Sequence, residues 1–243
     1  MIFERQKYKI FSRKQLANRW GVPVGMTLLI FFILSLFSIP NAVKILTSEE
    51  GINLLTYDYG NVYNYFEAYS TAVSNHTSFL PTLIQTLVEA ILIIASLNVY
   101  LKMSRSPNKV SFSMFIEGFN NWYRAIFCEL FRGIFVFLWS LLFFIPGIIK
   151  SYSYSQMGFL IAEFPKLSIP KAMTISKIIT KGNKWNIFVM QLSFLGWDIL
   201  SIFTLEILQL WLKPYKTMSF VNAYHAMLKD SLEKGIITSE DLK

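Results

Sequence analysis

The chain is poor in the residues from which water-soluble folds and reactive sites are usually built. One of its 243 residues is cysteine, Cys128, and two are histidine, His76 and His225. A lone cysteine closes no internal disulfide and supplies no cysteine-based metal site, so a disulfide-stapled or zinc-ribbon scaffold is excluded. Charged residues make up only 16%, against about 25% in soluble domains, too little polar surface to cover a water-facing sphere. The 11 glycines and 8 prolines exclude a collagen-like chain. Acids are scarcer than bases, 15 against 23, which leaves a net charge of +8.

What is abundant is apolar: 53% of residues are hydrophobic and 16% aromatic, which rules out disorder. The composition is that of an integral membrane protein. The positive charge does not point to nucleic acid. Lys and Arg sit in blocks between long apolar runs, as in cytoplasmic membrane loops, rather than along one face of a soluble fold.

A spanning helix needs about 20 mostly apolar residues. The first candidate, 22–39, carries no charge; its apolar core is too long for a signal peptide, and the SIPNAVK that follows is a poor cleavage site, so it reads as an uncleaved span. The second, 79–101, contains one acid, Glu89. The third covers 125–147, and 186–212 is apolar but long for one span.

Loop charges set the orientation. Arg5, Lys7, Lys9, Arg13, Lys14 and Arg19 precede the first span, whereas the 40–78 loop has Lys44 against Glu49, Glu50, Asp58 and Glu67. The N-terminus is therefore expected inside. Lys166, Lys171, Lys177, Lys181 and Lys184 lie in an acid-free segment that should also be inside, yet the third span leads outward. A turn at Ile145-Pro146-Gly147 with a short return segment over 148–164 resolves the parity, and a further turn near Thr204–Glu206 splits the last apolar region in two. The expected fold is all-α: a polytopic membrane helical bundle of about six membrane segments in three hairpins, both termini cytoplasmic. The alternative has four full spans, a re-entrant third region and an outside C-terminus.

The whole chain, 1–243, reads as one integral membrane domain. Its expected parts are a basic cytoplasmic N-terminal helix over 1–21, an extracytoplasmic loop over 40–78 and a cytoplasmic tail over 216–243. Two cytoplasmic interfacial helices, over 102–124 and 166–185, complete it. Phe112, Phe115, Ile116, Phe119, Trp122, Tyr123 and Ile126 recur at helical spacing in the first, and Ala172, Ile175 and Ile179 in the second, where Ser168 is the expected cap. Their lysines would attract anionic lipid headgroups. Asn121-Trp122 and Asn183-Lys184-Trp185, each at the mouth of an apolar run, hint at a duplicated unit. In the 40–78 loop, Tyr57, Tyr59, Tyr63, Tyr65, Phe66 and Tyr69 suggest an interfacial helix or docking surface. Asn75-His76-Thr77 matches a glycosylation sequon, of no expected consequence here.

No nucleophile elbow, phosphate loop, metalloprotease helix or dinucleotide fingerprint is present, so no catalytic residue, metal or cofactor is expected. The distinctive residues are ionisable groups inside apolar runs: Glu89, Glu129 with Arg132, and Asp198. Such groups cost about 2.5–3.5 kcal/mol each and face a partner or a watery cavity. Glu89, Arg132 and Asp198 are thus the candidate intramembrane polar site. A purely structural role, a Glu89–Arg132 pair pinning two helices or Arg132 snorkelling to the interface, is the competing interpretation. In the hairpin motif Pro146, Gly147, Lys150, Tyr152 and Tyr154, the two tyrosines with their neighbouring serines could line the same cavity or satisfy helix–helix hydrogen bonds.

The phrases FLWSLLFFIPGIIKSYSYSQM (137–157), KGNKW (181–185), LSFLGW (192–197) and LWLKPY (210–215), with the opening SRKQLANRWGVPVGMTLL (12–29), resemble domain-of-unknown-function family 975. That is a group of multi-span membrane proteins mainly of Gram-positive bacteria, and it has no established activity. The resemblance implies a bacterial plasma-membrane location and an all-helical fold. Thr204-Leu205-Glu206 and Glu163-Phe164-Pro165 depart from the Gly-rich turn and the Asp-Asn-Pro-like end that it implies at those places. The expected function is a non-enzymatic membrane protein, an accessory, envelope-stress or protective (immunity-type) component acting through a protein partner or as a homo-oligomer. The alternatives are a small transporter built on the polar site and, further off, a lipid-acting enzyme.

Overall fold

The computed structural model describes residues 3–56, 62–76 and 79–242, and these form helices joined by turns, without a strand among them. In chain order the helices are α1 (Arg5–Leu16), α2 (Gly21–Thr47), α3 (Glu49–Thr56), α4 (Val62–His76), α5 (Phe79–Arg105) and α6 (Ser113–Glu117). A 3₁₀ turn (Gly118–Asn121) leads into α7 (Trp122–Leu142). Then come α8 (Phe144–Ser153), α9 (Met157–Glu163), α10 (Ile169–Ile179), α11 (Lys184–Phe203) and α12 (Gln209–Glu233). Four helical stretches are long and apolar enough to cross a membrane: α2, α5, Ser113–Leu142 through α7, and α11. Their flanks expose Phe31, Phe32, Leu36, Phe137, Leu138, Ile199 and Ile202. In water that surface would be a severe liability; against lipid it is the expected solvent-facing side.

Contacts divide the chain into residues 29–89 and a larger unit of 3–28 with 90–242. In the smaller unit the segment expected as a loop is largely helical. α2 continues through Pro40 to Thr47, and α3 packs on α4. Ser48 caps α3, its Oγ accepting the Gly51 N–H at 3.1 Å, with Glu49 and Glu50 in the favourable first turn. Tyr63, Tyr65, Phe66 and Tyr69 lie exposed on α4. Tyr57, Tyr59 and Thr77 of the sequon are outside the described residues.

In the larger unit α7 and α8 form a tight hairpin whose reversal lies at Phe143, an extended residue (φ −160°, ψ 146°), not at Pro146-Gly147. Pro146 occupies the first turn of α8, where its missing N–H has no acceptor to serve. Gly147 is the close-approach point: a Cβ there would sit 3.0 Å from Ser140 Cα. The return segment 148–164 is not one straight span. It breaks after Ser153 and resumes as α9. Ser176 of α10 repairs the break, its Oγ donating to the Ser153 carbonyl at 2.8 Å and accepting the Gln156 N–H at 3.2 Å.

The region 186–227 is two helices. Residues 204–208 turn between α11 and α12, with Leu205 and Glu206 in the left-handed region (φ 50° and 64°). The segment expected as a tail, 216–243, is instead helical to Glu233 and buries Met218, Val221, Ala223, Tyr224 and Met227. α1 docks on α12: Asn222 Nδ2 donates to Ser12 Oγ (2.9 Å) and Gln15 Oε1 (2.8 Å). The first interfacial stretch begins at Ser113, since 102–105 complete α5, and it runs as α6 and the 3₁₀ turn into α7. In the second, Ser168 holds the N-cap position of α10 without a side-chain capping bond. Ala172, Ile175 and Ile179 are buried, and α10 packs against α7, α9 and α12.

The repeat hinted at in two places recurs in a third. Asn18-Arg19-Trp20 joins α1 to α2 as Asn120-Asn121-Trp122 joins the 3₁₀ turn to α7 and Asn183-Lys184-Trp185 joins α10 to α11. Each time a short helix and a polar turn lead to a tryptophan at the start of a long apolar helix, just before it at Trp20 and in its first turn at Trp122 and Trp185.

Candidate functional site

α5, α7, α8, α9, α11 and α12 of the larger unit surround a cavity of about 410 Å³. Its apolar walls come from Ile93, Ile94 and Leu97 on α5, Ile187 on α11, Phe159 on α9 and Phe220 on α12. Its polar lining is Glu129 and Arg132 on α7, Tyr152 on α8, Tyr154 and Gln156 in the α8–α9 link, Gln191 on α11 and Lys216 on α12. The break after Ser153 turns Tyr154 and Gln156 into the cavity wall, which a continuous helix would not do. Cys128 also lines it and is buried.

The ionisable groups are arranged in pairs. Glu129 and Arg132 lie three residues apart on α7, so they share a face. Arg132 Nε donates to Glu129 Oε2 at 3.1 Å, and Nη2 donates to Oε1. Lys216 Nζ donates to Asp198 Oδ2 at 2.7 Å, linking α12 to α11, and Gln209 Nε2 donates to the other Asp198 oxygen at 3.4 Å. Tyr152 donates its hydroxyl to Gln191 Oε1 at 3.2 Å. Gln156 donates to Ser155 Oγ at 2.8 Å, but its Oε1, on a residue only 2% exposed, has no hydrogen-bond partner among the described residues.

Of the expected site residues, Arg132, Tyr152 and Tyr154 line the cavity directly. Asp198 reaches it through Lys216. Glu89 belongs to the smaller unit and is exposed, and the guanidinium of Arg132 is held by its own helix neighbour Glu129. Lys150 stacks its ammonium 4.1 Å above the Trp139 ring, fastening α8 to α7. Pro146 and Gly147 shape the hairpin. Sequence reasoning missed Lys216, counted as a cytoplasmic lysine, and the amides Gln156 and Gln191. A lysine seven residues into a helix that faces an acid-bearing apolar run was the available signal.

Further along, Ser104 Oγ lies 2.8 Å from His225 Nε2 and donates its own proton to the Leu101 carbonyl at 2.8 Å. That leaves His225 as the donor, a neutral imidazole protonated on Nε2. Burial, with the Arg105 guanidinium acting in the same sense, pushes its pKa down to about 4. A second cavity of about 540 Å³ is lined by Lys102, Glu117, Asn98 and Glu163. There Lys102 bonds Glu117 at 2.7 Å, and Arg105 pairs with the buried Glu163. Among the described residues no three His, Cys, Asp or Glu converge on a metal position.

No curated protein and no solved structure matches the chain. The family described as protein of unknown function DUF975 matches residues 1–150 and 141–231, together nearly the whole length, and the chain belongs to that family.

Proposed function

We propose that the chain is a non-enzymatic, multi-pass protein of a bacterial plasma membrane that works by holding a small polar or amphipathic molecule in the α5–α12 cavity. The observation that carries this reading is the lining itself: two cations, one carboxylate, two amides and two tyrosines face an apolar-walled space within helices suited to hydrocarbon. Each charged group at the cavity, Glu129, Arg132 and Lys216, is engaged in an ion pair, which suits binding better than proton transfer. Six membrane segments with both termini cytoplasmic remain our topology, supported by loop charge and by the returns through α8–α9 and α12. Exposed Lys166, Lys177 and Lys181 would then meet anionic headgroups on the cytoplasmic side.

Native mass spectrometry of the protein taken from its own membrane into mild detergent tests the reading. A single retained small molecule is expected on the wild type. It should be lost in Gly158→Leu, because a Cβ at Gly158 already reaches to 3.4 Å of Leu97 Cδ1 and the longer side chain fills the cavity. Equal occupancy in both proteins would refute the assignment. A second reading, an accessory or protective protein acting through a partner, is favoured by the exposed Tyr63, Tyr65, Phe66 and Tyr69 on α4. Crosslinked purification that enriches one protein, and loses it when Tyr63 and Phe66 become serine, would support that reading.

A further inference from the structure

We infer that the molecule held in the cavity is a membrane amphiphile with a phosphate head, bound by Arg132 and Lys216 with its chain along the α5 wall; this rests on the cavity being a binding site. Arg132 is the tenth residue beyond Trp122, about 15 Å along α7 at 1.5 Å per residue, or half the hydrocarbon thickness. Among the described residues, Glu129 takes two of its five N–H groups, and Asp198 takes one of the three on Lys216. Three guanidinium and two ammonium N–H groups are left. At that depth unmatched donors are costly, and water is scarce. The complement is a compact group rich in acceptor oxygens that two cations lining one cavity can share, which describes a phosphate.

The charge balance separates the two sources of phosphate. Each cation already faces a carboxylate, so the site has no net positive charge to draw a free phosphate ion from water, and donors alone offset its lost hydration without the apolar contact that a chain adds. An amphiphile enters from the lipid side and gains apolar contact with Ile93, Ile94 and Ile187. Ile93 and Gln191 are exposed, so the lining reaches the protein surface where a chain can leave it. The orphaned Gln156 Oε1 matches a hydroxyl on the phosphate or on the glycerol beside it. A volume of about 410 Å³ is suited to a head and the first part of a chain rather than a whole lipid.

The full chain in neutral detergent should be titrated with dodecyl phosphate, 1-dodecylglycerol and inorganic phosphate, following thermal melting and one-to-one retention by native mass spectrometry. Dodecyl phosphate is expected to raise the melting temperature and to be retained, while the other two do neither at equal concentration. The double variant Glu129→Gln with Arg132→Gln removes both charges of one pair at nearly constant volume. It should weaken dodecyl phosphate binding by about tenfold or more, equivalent to about 1.4 kcal/mol. Should the variant fail to fold, the contrast among the three probes on the native chain decides alone. Equal retention of 1-dodecylglycerol overturns the phosphate and leaves the cavity reading standing. Equal binding of inorganic phosphate overturns the amphiphile, and retention of none of the probes overturns both.

Discussion

Asn222 shows how a single polar residue fixes an otherwise amphipathic element. Buried on α12, it donates to Ser12 Oγ and Gln15 Oε1, so the basic helix α1 is tied to the membrane domain through satisfied amides. Asn222→Ala strands buried acceptors on α1 and should cost about 1–3 kcal/mol. Limited proteolysis in detergent would read the loss as faster cleavage at Arg13 and Lys14. His225 makes a pH-dependent contribution. Its folded pKa, about 4, lies below the ordinary 6.5, so between these values the unfolded chain takes up a proton that the folded chain refuses. Stability is therefore flat above pH 6.5 and falls as pH drops toward 4, by at most about 3 kcal/mol. Melting curves between pH 4 and 8 should show that slope in the wild type and a shallower one in His225→Gln. At this scale the sequence was partly readable. Arg132, Tyr152 and Tyr154 stood out because polar groups in apolar runs need partners. Lys216 did not, because loop-charge counting assigns a lysine near a helix end to the cytoplasm, and its Asp198 partner lies 18 positions away in the chain.

The elements follow from apolar run length where one run makes one helix. α2, α5, α7 and α11 were all legible for that reason. Legibility fails where a distant residue decides. The break between α8 and α9 depends on Ser176, 23 positions after Ser153, offering both a donor and an acceptor to an interrupted backbone. The Pro-Gly pair at 146–147 suggested the turn, yet first-turn proline is compatible with helix, and the chain reverses one contact earlier at Phe143. Gly147 matters for space instead. Gly147→Ala puts a Cβ against Ser140 in the α7–α8 crossing and is expected to cost about 1–3 kcal/mol through overpacking. Double substitution Gly147→Ala with Ser140→Gly should recover part of that loss, measured by the same melting curves. α12 was less legible, because its lysines and asparagine lower its apolarity; the helix runs on to Glu233 through the stretch expected as a tail, largely buried within protein.

At the scale of the molecule, a short helix, an Asn-containing turn, a tryptophan and a long apolar helix occur together three times, and the cavity forms where α8, α9 and α12 meet α5, α7 and α11. α8 is shorter and α12 more polar than the long apolar helices before them, and Tyr152 and Lys216 on these two helices line the cavity. On the proposed reading, Arg132 and its neighbours lie inside the hydrocarbon, where their donors call for a ligand. Gly133 is next to Arg132, is exposed, and has open space where a Cβ would stand. With Cys128 replaced by serine, a nitroxide attached to Gly133→Cys can therefore be placed without disturbing the fold. Power-saturation electron paramagnetic resonance in lipid bilayers would compare its collisions with oxygen and with a water-soluble nickel chelate. High oxygen and low nickel accessibility are expected, deeper than a label at Trp122→Cys; nickel accessibility equal to that of a label at Lys109→Cys would place Arg132 outside the hydrocarbon.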